Sequence, residues 1–170
     1  MRKYIAFLIG AALLLPMGTA LSHKADLIGR GRVADLRYGE ATYDEAVDLL
    51  GSPTRKRRVE GCVRTLIARW SGIKLWFDRS EPGRVAINGF VHARSVPTAD
   101  GGSLMIHTRR GLRVEDTVKK LKRLYPDARG SRARGDKRRY LLEGRSGGGA
   151  YLQAVARSGR VIRLISGFTC

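Results

Sequence analysis

Apolar positions recur at helical spacing in two places along the chain. Tyr43, Ala46, Val47 and Leu50 fall on one face of a short helix, and so do Val118, Leu121, Leu124 and Tyr125. Thr42 and Glu45 have the spacing of a capping box, and Asp116 stands in the matching N-cap place before the second helix. Gly51 and Pro53 stop the first helix, and Pro126 stops the second. After each helix the pattern changes to short β-like runs parted by Ser-Gly or Gly-rich turns. In the first half these are 66–72, 73–77 and 83–87; in the second, 141–147, 151–155 and 159–163. Residues 103–108 add one more candidate strand to the first half.

The two halves match in order. A shift of 74 residues superimposes Val47 on Leu121 and Leu50 on Leu124, and shifts of 75 and 76 align the strand runs. The pattern predicts an α+β fold of two tandem repeats. Each would be a short helix, or helix-turn-helix, followed by an antiparallel β-meander. Repeat A would span 35–108 and repeat B 109–170. One half is too small to bury much core alone, so the two sheets are expected to pack or join.

The stretch Glu45-Ala46-Val47-Asp48-Leu49-Leu50-Gly51-Ser52-Pro53-Thr54, a capped helix running into Leu-Gly-x-Pro-Thr before a meander, resembles the β-lactamase-inhibitor-protein-like fold. It is also similar to the small outer-membrane assembly lipoproteins of the SmpA/OmlA type. Residues 111–117 through Tyr125-Pro126 resemble tandem-repeat secreted bacterial proteins. The resemblance implies a fold and a non-catalytic, protein-binding habit. It transfers no partner and no contact residue, and the chain lacks the lipidated Cys of the lipoprotein group.

The N-terminus has the layout of a signal peptide. Arg2 and Lys3 precede a mostly apolar run of 14 residues, Tyr4 to Met17, followed by small residues at Gly18, Ala20 and Ser22. The run is too short to span a bilayer and is interrupted by Pro16. Residues 1–20 are therefore expected to be a signal peptide, cleaved after Ala20 or Ser22, with 21–34 a linker. The mature chain is expected outside the cytoplasm of a bacterium, with no transmembrane segment. Export also allows a disulfide between the two cysteines, Cys62 and Cys170, with two free thiols as the alternative.

Composition adds charge to this picture. The chain of 170 residues carries 33 basic and 15 acidic groups, net +18. Residues 21–93 hold 13 basic and 9 acidic groups, whereas 94–170 hold 18 and 6. Ten basic residues lie within 119–139, among them Lys119, Lys122, Arg123, Arg138 and Arg139. Arg outnumbers Lys 25 to 8, which fits a solvated surface coloured by codon usage as well as a docking patch. The basic stretch lacks interleaved aromatics, so base stacking is not supported there, and export argues against genomic DNA. No nucleic-acid partner is expected.

Candidate chemistry is sparse. No zinc motif, phosphate loop or nucleophile elbow is present, so no catalytic, metal or cofactor residue is assigned. His92, Asp100, Ser103 and His107 share one loop-like stretch without triad spacing. The expected function is a secreted, non-enzymatic protein-binding or inhibitor-like module, its partner another extracellular or envelope protein. Its contact surface would be a sheet face carrying Trp70, Trp76 and Tyr151, with the basic 119–139 patch beside it. The alternative is a binder of anionic cell-envelope polymers through that patch; a secreted hydrolase is a distant third.

Overall fold

A computed structural model describes residues 27–61, 63–80, 84–145 and 148–169. Three short strands open it: β1 (Leu27–Gly29), β2 (Arg32–Val33) and β3 (Leu36–Arg37). Helix α1 (Tyr43–Leu50) follows, then β4 (Arg55–Val59), β5 (Thr65–Trp70), β6 (Ile73–Asp78) and β7 (Ala86–Val91). The middle of the chain holds β8 (Val96–Pro97), β9 (Ser103–Leu104) and β10 (His107–Thr108). Helix α2 (Val118–Leu124) leads to β11 (Gly130–Arg132), β12 (Lys137–Arg145), β13 (Gly148–Arg157) and β14 (Arg160–Thr169).

The principal sheet has eight strands in the order β11-β12-β13-β14-β7-β6-β5-β4, with every neighbouring pair antiparallel. The α+β expectation of two helix-and-meander repeats is thereby corrected. The described residues are mostly β, one continuous sheet served among them by two helices of only eight and seven residues. Two strands absent from the sequence reading, β4 and β11, help build it. Both are exposed along most or all of their length and lack apolar alternation. Residues 103–108 form β9 and β10, which belong to two different small sheets. Residues 27–33, within the stretch read as a linker, form β1 and β2, with Ile28 and Val33 fully buried.

Period-two alternation sorts the sheet into two faces. Leu66, Ala68 and Trp70 on β5, Ile73, Leu75 and Phe77 on β6, and Leu152, Ala154 and Leu164 on β13 and β14 point to one side and are buried. That side is covered along its length. Helix α1 lies over the β4–β7 end, where Tyr43 meets Phe77 edge-on at 5.4 Å. Helix α2 covers the other end through the buried Leu121, tied to the β13–β14 turn by the Val118 N–H to Gly159 carbonyl bond. Between them sits the four-stranded sheet β10-β1-β2-β3, where Ser166 Oγ donates to the Gly29 carbonyl. Among the described residues no element covers the opposite face.

The helix ends follow local chemistry. Thr42 Oγ1 accepts from the Glu45 N–H, and Glu45 accepts from the Thr42 N–H at 2.7 Å, the expected capping box. The second N-cap is Thr117, one residue beyond the expected Asp116. Asp116 instead accepts the Arg113 N–H at 2.8 Å and pairs with Lys120 at 2.8 Å. No helix among the described residues is long and apolar enough to cross a membrane.

Candidate functional site: the uncovered face of the sheet

Register places the side chains of this face in rows that run across strands. One row reads Arg55, Arg69, Lys74, Phe90, Ile165, Gln153 and Leu141 from β4 to β12. The next reads Arg57, Ile67, Trp76, Asn88, Gly167 and Tyr151. A third joins Arg163, Val155, Arg139 and Ser131. The face is therefore an aromatic and aliphatic surface with cations set into it.

Its centre is a tight cluster. Trp76 and Phe90 meet edge-on at 5.1 Å, and Phe90 meets His92 at 5.8 Å. Lys74 Nζ lies 4.5 Å from the Trp76 ring and 5.3 Å from Phe90, and the Arg163 guanidinium lies 4.2 Å from Phe90. Each is close enough for the ring's negative face to attract the cation. The cations also repel one another. Partial burial, then Arg69, Arg163 and Arg57, hold the Lys74 ammonium below its usual range. Partial burial, then Arg163 and Arg69, do the same to His92. Burial and Arg69 lower Arg163, whose Nε is buried without a hydrogen-bond partner among the described residues.

Neutralising groups are scarce. Among the described residues, Arg55, Arg57, Arg69, Lys74 and Arg163 make no salt bridge. Asp78 ends β6 at the far side of the face, where its carboxylate accepts the Ser80 N–H at 2.7 Å. Arg55 opposite Arg69, and Arg69 opposite Lys74, are like-charge cross-strand pairs of the kind that destabilise a sheet.

No family model, curated protein or solved structure matches the chain.

Geometry divides the residues picked from the sequence. Trp76, Tyr151 and Arg139 stand on the uncovered face. Tyr151 is three strands from Trp76 in the same row, about 14 Å at ordinary strand spacing. Trp70 does not share this face: it is 4 % exposed on the covered side, where its indole Nε1 donates to the Gly51 carbonyl at 2.7 Å. The 119–139 stretch is not one patch. Lys122 and Arg138 line a groove on the helix side with Val118, Tyr140 and Ala156. Lys119 and Arg123 are exposed on α2, while Arg139 is exposed on the other side of the sheet. Asp136 within it pairs with Arg157 at 3.7 Å. Cys62 and Cys170 lie outside the described residues, as does the whole of 1–20.

The cations nearest the Trp76–Phe90 pair come instead from β4, β5, β6 and β14. The run Arg55-Lys56-Arg57-Arg58 was the available signal in the sequence. It belongs to the half with the smaller net charge, so a count by halves hides it. Asp100, in the loop with His92 and His107, holds a turn through Thr98 Oγ1 at 2.5 Å and the Gly102 N–H at 3.1 Å.

Proposed function

We propose that this is a non-enzymatic binding protein that works outside the cytoplasm and presents the uncovered face of its sheet to an acidic protein. One observation carries the reading. Lys74 and Arg163 lie against the Trp76–Phe90 pair, Arg69 and Arg57 stand near enough to repel Lys74, and none of the four has a carboxylate at salt-bridge distance among the described residues. Aromatic and Arg side chains on a half-buried platform are the residue types that dominate protein contact surfaces. A partner carboxylate seated among them would relieve repulsion that the free protein bears, and complementary charge would steer encounter. The export-type N-terminus supports the location. The polymer alternative rested on 119–139 acting together, and those cations are divided between the two sides of the sheet.

A photo-crosslinking amino acid placed at Phe90 tests this in the protein's native extracellular fraction, with Lys122 as the control position. The expected result is a discrete protein adduct from position 90 and none from position 122. Adducts from 122 alone, or only polysaccharide or nucleic acid from 90, would overturn it.

A further inference from the structure

Among the described residues, strand β4 ends the principal sheet and pairs only with β5. Its other edge therefore offers backbone donors and acceptors with no strand of the described residues beside them. Four of its five residues, Arg55, Lys56, Arg57 and Arg58, are exposed cations. Alternation sends them to both sides of the sheet, and each side opens onto a basic hollow. On the uncovered face Arg55, Arg57, Arg69 and Lys74 surround Ile67 in a cavity of about 150 Å³. Towards the helices Lys56, Arg58, Arg79 and Arg84 surround Leu66 in a cavity of about 250 Å³, and Arg57 borders this hollow as well as the first. Of all these cations only Arg79 is paired among the described residues, to Glu60 at 2.9 Å.

Charges on an edge strand commonly guard a sheet against wrong pairing. A guard needs charge at the rim. Here the cations continue inward, through the exposed Arg69 on β5 to the half-buried Lys74 on β6. Edge-to-edge pairing of two copies would set these Arg and Lys residues against their equivalents, so a second copy is the wrong occupant. An extended anionic chain with its own backbone donors fits both features, since strand addition combines main-chain bonds with side-chain pockets on alternate faces.

We propose that β4 is the docking edge for an extended acidic segment of the partner protein. The segment adds antiparallel or parallel to β4 as a ninth strand and places successive carboxylates in the two hollows. This rests on the protein-binding reading above and names the chemistry of the partner.

The test uses the full chain and a blocked peptide, Val-Glu-Glu-Glu-Glu-Val. Its control is the same peptide N-methylated at alternate amides, which keeps the charge and loses ladder donors. The unmodified peptide is expected to bind about tenfold more tightly than the control or better. It is also expected to slow amide exchange in residues 55–59. The variants Arg57→Gln and Arg58→Gln, both exposed and so compatible with folding, are expected to weaken binding, whereas Lys122→Gln, on the helix side away from both hollows, is not. Equal binding of the two peptides, equal binding of an oligonucleotide of the same charge, or no binding would each overturn the proposal. Crosslinking from position 90 distinguishes the two claims. It persists if only the edge proposal fails, and it is lost if the protein-binding reading fails.

Discussion

The two tryptophans show how one residue type serves opposite ends according to strand parity. Trp70 points into the core and is bonded to Gly51. Trp70→Ala is expected to cost about 3–5 kcal/mol in urea unfolding. Trp76 points the other way, half-buried beside Phe90 and Lys74 with no core contact to lose among the described residues, so Trp76→Ala is expected to cost about 1–2 kcal/mol, well below Trp70→Ala. A sequence listing aromatics in β-runs cannot separate them, because the parity of a strand is set by its register with neighbours. Gly167 is a third case. A side chain there would run into Asn88, whose Oδ1 accepts the Phe168 N–H at 3.0 Å across the β7–β14 seam. Gly167→Ala is expected to destabilise by about 1–3 kcal/mol. Adding Asn88→Ala should return part of the loss, and a double-mutant cycle measures how much.

His92 gives a pH signature at the same scale. Its folded-state value lies below the ordinary imidazole value because of partial burial and the nearby Arg163 and Arg69. The unfolded chain therefore takes up the proton first as pH falls, and stability declines through and below about pH 6.5. His92→Gln should flatten that part of the profile. An anion seated beside Arg163 and Lys74 acts in the opposite direction and raises the His92 value. NMR titration of the ring with and without the acidic peptide reads both effects.

Among elements, the helices were the most legible and β4 the least. Helix α1 announces itself by apolar spacing, a capping box and Gly51, and the structure has each of these. Removing the cap in Thr42→Ala is expected to cost about 1 kcal/mol. The second helix was legible to within its cap. Asp116 suits an N-cap by residue type, but its carboxylate is taken by the Arg113 N–H and Lys120, and Thr117 caps instead. Strands β5, β6, β13 and β14 showed through their alternating or β-rich runs. Strands β4 and β11 did not, because an edge strand with little buried carries no hydrophobic period. Their basic residues were legible as charge and invisible as strand. The candidate site suffered most from this, since β4 supplies its outermost cations.

At the scale of the molecule, the joining of β7 to β14 decides the architecture. That pairing makes one eight-stranded surface, and it brings Arg163 from late in the chain onto Phe90 from the middle. No local pattern reports a contact of that kind. It also redistributes the charge. Counted along the chain, the excess lies in 94–170; in space, that excess is split between the two sides of the sheet, while cations of β4, β5 and β6 and Arg163 of β14 share the uncovered face. The free protein is therefore expected to gain thermal stability from added salt, because screening relieves the Arg55–Arg69–Lys74 row. A calorimetric series in chloride measures it.

The central claim is that the partner sits on the uncovered face of the sheet. Its most direct test is the affinity of the crosslinked partner for three forms of the protein at fixed salt. The combined Trp76→Ala and Phe90→Ala variant is expected to lose about tenfold or more relative to the unsubstituted chain. The combined Lys122→Ala and Arg138→Ala variant, on the helix side, is expected to stay within about twofold. The reverse order would contradict the account.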